Sequence, residues 1–146
     1  MFSKTTEYAL RATLYIAANS SPERKLSINE IAAAIDSPRS FTAKILQRLS
    51  ANERLISSSK GPGGGFYMTE KAGKQPAKII LETMDEDALL NKCVLGLSRC
   101  SDEKPCPMHK DFKVIKADIY TLFTKTSIAS LAADTHKNSF LKGARR

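Results

Sequence analysis

Ser37-Pro38-Arg39-Ser40-Phe41-Thr42-Ala43-Lys44-Ile45-Leu46-Gln47-Arg48-Leu49 is the stretch on which the reading of this sequence turns. Ser37 suits an N-cap and Pro38 the first helical position, so a helix is expected to start here and run to about Ala51. Phe41, Ile45, Leu46 and Leu49 fall on one face at helical spacing. That leaves Arg39, Ser40, Thr42, Ala43, Lys44, Gln47 and Arg48 on a polar, basic face toward solvent.

Upstream, Ser27-Ile28-Asn29-Glu30 has the Ser-x-x-Glu form of a capping box, in which each side chain satisfies a free backbone N–H. A short Ala-rich helix through Ile35 follows, broken by Asp36-Ser37-Pro38. Before it, Tyr8, Ala12, Tyr15 and Ile16, widened by Leu10 and Leu14, predict a largely buried first helix over Thr6 to Asn19. Downstream, Leu55–Ser59 and Phe66–Thr69 are expected to pair as a β-hairpin around Lys60-Gly61-Pro62-Gly63-Gly64-Gly65, and a helix is expected from Pro76 to Met84.

Two short helices joined by a tight turn and followed at once by a hairpin predict a winged helix-turn-helix. The fold class is therefore mainly α with a small β-hairpin, completed by a long C-terminal helix. In such a unit the second helix lies in the major groove of duplex DNA. Ser40, Thr42 and Lys44, early in that helix, are candidates for base edges, and Arg39 and Arg48 for phosphates. Lys60, Pro62 and Gly64 are the hairpin candidates, with Lys60 supplying the cation that a minor groove attracts. A merely flexible turn is the competing reading of the glycines. The loop lacks the Gly-Lys-Ser/Thr ending of a phosphate-cradling loop and lies between strands, which argues against a nucleotide-binding enzyme.

The composition of the 146 residues is that of an ordinary globular chain, with 42% hydrophobic and 26% charged residues. A formal net charge of +8 favours a polyanionic partner, although a solvated basic face would give the same count. No run approaches the roughly 18 apolar residues that a transmembrane helix requires, so no membrane anchor is expected. His109 and His136, the two histidines, sit in no nucleophile–base motif, and no enzyme activity is expected.

Cys93-x6-Cys100-x5-Cys106-x2-His109 concentrates all three cysteines and one histidine in a segment with no helical or strand period. An odd, clustered set fits a reducing, cytoplasmic compartment better than a secreted disulfide framework. Thiolates with imidazole bind iron–sulfur clusters or zinc, and spacing alone does not choose between them. A thiol switch without metal, or three ordinary thiols, are the remaining readings. Past this segment Phe112, Ile115, Ile119, Leu122 and Phe123 predict one long amphipathic helix to about Lys125. Its stripe either folds back or pairs with a second copy, and symmetry favours the homodimer.

The expected organisation is a winged helix-turn-helix over residues 1–84, a cysteine-containing sensor loop over 85–109, a dimerisation helix with a short following helix over 107–132, and a mobile basic tail over 133–146.

With these pieces in place the sequence resembles the bacterial winged-helix repressors that include the iron–sulfur regulator IscR and the nitric oxide sensor NsrR. The resemblance rests on Thr6-Glu7-Tyr8-Ala9-Leu10-Arg11, Phe41 through Leu49, Lys60 through Gly65 and the cysteine segment. It implies a homodimer with crossed long helices and a cluster near the dimer interface. Cys93, Cys100 and Cys106 match the family's cluster cysteines in order. His109 falls where IscR-like members carry a histidine ligand, favouring a two-iron two-sulfur cluster, and Glu7 where NsrR-like members place an acidic ligand, leaving a four-iron four-sulfur cluster open. The chain departs from the common pattern at Lys60, where many members carry arginine, and in a first cysteine gap one residue longer than in IscR. Set against a DNA-binding, cluster-sensing repressor are a regulator with structural zinc or no metal, and a winged helix that binds a partner protein instead of DNA.

Overall fold

The computed structural model describes residues 1–98 and 101–135, apart from the side chain of Leu89. Cys100 and the expected tail beyond Thr135 lie outside the described residues. The order of elements is α1 (Lys4–Asn19), α2 (Ile28–Ala34), α3 (Arg39–Ala51), β1 (Ser57–Ser59), β2 (Gly65–Tyr67), α4 (Glu70–Gly73), α5 (Lys78–Thr83), a 3-10 turn (Asp87–Leu90), α6 (His109–Lys125) and α7 (Ile128–Thr135).

Helix α1 is the spine. Ser3 caps it by accepting from the Thr6 N–H, and Ala9, Ala12, Thr13 and Ile16 form its buried face. With Thr6, also buried, four of these five side chains are small, which lets neighbouring helices approach closely; the larger Tyr8, Leu10, Leu14 and Tyr15 are only partly buried around them. Thr13 is tolerated in the core because its hydroxyl donates to the Ala9 carbonyl at 2.8 Å. Around α1 pack α2, α3, α5, α7 and strand β2.

Ser27 caps α2 as expected, accepting from the Glu30 N–H at 3.1 Å. The start of α3 differs from expectation. Pro38, not Ser37, is the N-cap, because the first helical bond runs from the Thr42 N–H to the Pro38 carbonyl at 2.9 Å. Asp36 adopts a left-handed φ of 53° that reverses the chain, and the Ser37 N–H is spent on the Ala32 carbonyl. The Ser37 hydroxyl is buried without a hydrogen-bond partner among the described residues, so it caps nothing.

The hairpin is shorter than predicted and antiparallel, with Ser57 opposite Tyr67, Ser58 opposite Phe66 and Ser59 opposite Gly65. Leu26 extends it as an isolated bridge, exchanging both backbone hydrogen bonds with Phe66 at 2.8 Å. This third segment requires a glycine next door: a Cβ at Gly65, whose φ is +146°, would lie 2.5 Å from the Leu26 carbonyl oxygen. Leu55 and Ile56, expected as strand residues, instead enter the main core as the chain turns out of α3.

The sequence reading missed α4, a single turn capped by Thr69, whose hydroxyl accepts from the Ala72 N–H at 3.1 Å. The short last helix, expected to follow the dimerisation helix, is present as α7. In the structure α7 folds back on α1, the most extensive helix pair among the described residues, and Ile128 is a fully buried member of the main core. The backbone ties that secure it are Ile128 N–H to Gln75 carbonyl at 3.0 Å and Ala77 N–H to Thr126 carbonyl at 2.9 Å. The main core is thus closed by residues from both ends of the described chain.

Ile128→Ala is expected to destabilise the protein by about 2–4 kcal/mol, the cost of a cavity in a closed core. Urea unfolding checks this; a loss below about 0.5 kcal/mol, as at a surface site, would show that α7 is an appendage.

Candidate nucleic-acid interface and cysteine segment

Four residues of α3, Thr42, Ile45, Leu46 and Leu49, face the core. The complementary face presents Ser40, Lys44 and Gln47 to solvent, with half-buried Ala43 beside them. Thr42 is the correction here: proposed for a base edge, it is 0% exposed, and its hydroxyl donates to the Pro38 carbonyl at 2.9 Å. Its place is one helical turn from Ile45 and Leu46 on the buried side, so it cannot reach a groove. Phe41, placed in the core by its period, is half-buried and meets the Tyr8 ring edge-on at 5.4 Å.

The two arginines at the flanks are engaged. Arg39 Nε donates to Asn29 Oδ1 at 2.8 Å, so an α2 side chain orients this guanidinium. Asn29 was absent from the sequence-based candidates; its position in the first turn of α2 was the only available signal. Arg48 Nη2 meets Asp85 Oδ2 at 3.2 Å, beyond the end of α5.

On the hairpin, Lys60 and Pro62 are exposed. Gly64 has an internal reason to be glycine, since a Cβ there would lie 2.4 Å from the Ser59 carbonyl oxygen and 2.8 Å from that of Gly61. Its N–H closes the tip turn on the Gly61 carbonyl at 2.9 Å. Lys25, also missed from sequence, stands over the Tyr67 ring at 5.5 Å and adds a cation at the hairpin.

Cys93 follows the 3-10 turn and is buried, while Cys106 just before α6 is partly exposed; both are free thiols. The Leu95 N–H chiefly, and with it the Leu97 N–H and the Cys106 thiol, favour the charged form of the Cys93 sulfur. With the Lys116 ammonium nearby, these hold the Cys93 thiol below its ordinary pKa despite the opposing effect of burial. His109 opens α6; it is buried, and its Nε2 lies 2.8 Å from Asp102 Oδ1. Lys113 Nζ donates to both oxygens of the same carboxylate at 2.8 and 2.9 Å. The lysine chiefly, and the histidine with it, hold the Asp102 carboxyl down to about 2.

Cys93 and Cys106 are therefore brought together, and His109 is anchored nearby on the first turn of α6. Glu7, half-buried in the first turn of α1, pairs instead with Lys4 at 3.8 Å. Among the described residues no three His, Cys, Asp or Glu side chains converge as a metal site. The thiol pair nonetheless fits a thiolate-bound group, because N–H donors aimed at Cys93 favour the deprotonated sulfur that such a group requires.

A family model described as Rrf2, "Iron-dependent Transcriptional regulator", matches residues 2–134. The chain belongs to the Rrf2 family. That family includes IscR and NsrR, and its members are transcription regulators, not enzymes. A putative HTH-type transcriptional regulator of Aquifex aeolicus is 32% identical over 142 residues, covering 96% of each chain. The IscR of Xenorhabdus nematophila is 26% identical over 124 residues, spanning 85% of this chain and 74% of that one. The solved structure of CymR, titled the global cysteine regulator of B. subtilis, superposes with a TM-score of 0.71 at 18% identity, covering 92% of this chain and 98% of that one. The winged-helix architecture is shared with that structure, and Rrf2 membership makes this chain a DNA-binding transcription regulator.

Lys60→Gln is expected to flatten the log affinity–log salt slope for duplex DNA by about 1, as the loss of one cation at the DNA backbone does, and Lys44→Gln to weaken binding to a cognate duplex by about 1–3 kcal/mol and relax its sequence preference, as the loss of a base-edge contact does. Thr42→Val is expected to leave affinity within about twofold while costing about 1 kcal/mol of stability through the lost Pro38 hydrogen bond. Fluorescence anisotropy over a salt series, beside urea unfolding, distinguishes these behaviours.

Proposed function

We propose that this protein is a cytoplasmic, homodimeric repressor that inserts α3 in the major groove of double-stranded DNA and applies the hairpin to the adjoining minor groove, with its affinity set by the cysteine segment. The observation that carries the reading is the division of α3. Its apolar side and Thr42 are sealed in the core, so Ser40, Lys44 and Gln47 are what a groove would meet. Ser40 and Lys44 serve base edges; Arg39, oriented by Asn29, and Arg48 serve phosphates. Lys60 enters the minor groove beside Pro62, with Gly64 shaping the tip.

The homodimer is supported by α6. Val114, Ile115 and Leu122 are 62%, 52% and 58% exposed, apolar side chains on a helix whose main contact within the chain is the 3-10 turn. Exposed apolar surface of this kind on a helix is what a second α6 would cover. Phe123, by contrast, is held by the edge of Phe2 at 5.6 Å, which ties α6 to the N-terminus beside α1.

Cys93, Cys100 and Cys106 would hold an iron–sulfur cluster, with His109 or Glu7 as the fourth ligand; histidine corresponds to a two-iron two-sulfur form. When bound, such a group supplies a centre reactive toward oxidants and nitric oxide. Leu95 and Leu97 N–H groups hold the negative charge on the Cys93 sulfur, and Asp102 with Lys113 fixes the His109 ring at the start of α6. A signal at these residues therefore acts on the base of the dimerisation helix. A second reading is supported by the influence of the Cys106 thiol on Cys93, which suits a thiol switch without metal.

Protein purified without oxygen is expected to be coloured and to contain iron, with DNA affinity that changes when the iron is removed by a chelator. Iron-free protein whose affinity responds to a thiol oxidant would support the thiol reading. One zinc per subunit and an affinity indifferent to oxidants would overturn both. In sedimentation, the native chain is expected as a dimer, and Ile115→Asp with Leu122→Asp as a monomer; a native monomer would remove α6 from the assembly.

A further inference from the structure

We propose that Asp85 is a positioning residue for the DNA interface: its carboxylate holds the Arg48 guanidinium against the protein's own surface, and a duplex phosphate must take Arg48 from it. The proposal rests on the reading that α3 docks in a groove and adds a competition that this reading does not contain.

Arg48 occupies the last turn of α3, flanking the solvent-facing residues Lys44 and Gln47. Its Nη2 makes a single hydrogen-bonded ion pair with Asp85 Oδ2 at 3.2 Å, and the side chains are 45% and 90% exposed. Such an open, one-point contact biases the guanidinium by about fivefold at most, so an incoming phosphate can displace it. A phosphate also offers the guanidinium a two-point contact that this geometry with Asp85 lacks.

The carboxylate is presented by a built corner, not by slack chain. Asp85 has a left-handed φ of 56°, its N–H donates to the Glu82 carbonyl at 3.1 Å, and the Glu86 N–H donates to the Leu81 carbonyl at 2.9 Å. Burial tends to raise the Glu86 carboxyl, but hydrogen bonds from Ser3 and Thr6 outweigh it and hold this group below its usual range. The Ser3 N–H reaches both Glu86 oxygens at 3.3 Å, fastening the corner to the cap of α1. On the other side Asn52 Nδ2 donates to Thr83 Oγ1 at 3.0 Å, joining the end of α3 to α5. The same corner is where the chain leaves α5 for the 3-10 turn and Cys93. Asp85 is thus the first residue of the sensor segment, and it holds a side chain of the DNA-reading helix.

The test is a double-mutant cycle. Asp85→Asn keeps the size of the side chain and suits a left-handed backbone, while removing the charge. Binding of a labelled mixed-sequence duplex is measured over a salt series for the full-length native protein, D85N, R48Q and the double variant. D85N is expected to tighten low-salt binding by about two- to fivefold, the reach of an exposed ion pair, and to do so by less than about 1.5-fold in the R48Q background. R48Q by itself is expected to flatten the salt slope by about 1. Asp85→Gly, equally suited to the backbone, is expected to repeat the D85N result. Equal tightening in both backgrounds would show that only a repulsive charge had been removed, and would overturn the proposal, as would no tightening at all. If the native protein failed to bind duplex at any salt, the interface reading itself would fall, and the Asp85 proposal with it.

Discussion

The burial of Thr42, Ile45, Leu46 and Leu49 fixes the rotation of α3 about its own axis, and what the molecule can offer a duplex follows from that rotation. Burying each of the three aliphatic side chains contributes about 1.5–3 kcal/mol. A turn of α3 that exposed Thr42 would expose this apolar set with it. Ser40, Lys44 and Gln47 therefore remain outside because of what lies opposite them, not because of any bond of their own. The depth of the contact depends in turn on α1, whose Ala9, Ala12 and Thr13 leave room for neighbouring helices to approach.

The cysteine segment leaves this core where α5 ends. Asp85 and Glu86 form the junction, one carboxylate on the end of α3 and the other on the cap of α1. Beyond it the chain passes through the 3-10 turn to Cys93, and then returns at Cys106 into α6. Helix α6 leaves the core and α7 re-enters it, so the long helix is anchored at both ends while Val114, Ile115 and Leu122 stay exposed between them.

Much of the fold was legible because its determinants are local. The Ser27 cap, the apolar steps of α1 and α3, the break at Asp36-Ser37-Pro38 and the glycines between two short strands each depend on residues within a few positions of one another. The misreadings arose where the deciding contact left no mark in spacing or composition. Ser37 failed as a cap because the helix starts from the Pro38 carbonyl and the Ser37 hydroxyl is buried away from the free N–H groups of the first turn. Leu55 and Ile56 lost their place in the strand because the core claimed them. The Thr69 cap of α4 was readable in principle, but a single turn shows no periodicity to draw notice.

The sequence by itself determined which residue types are available: a basic, polar helix face, a glycine-tipped hairpin, a clustered set of thiols with histidine and an amphipathic long helix. Composition and spacing carry that information, since side-chain chemistry and helical period are properties of the chain alone. The tertiary structure decided which of these groups are presented. It turned Thr42 inward, set Arg39 on Asn29 and Arg48 on Asp85, brought Cys93 beside Cys106, and drew α7 into the core against α1. The physical reason is that exposure and pairing depend on contacts between segments far apart in the chain, and these exist only once the apolar faces have been packed together.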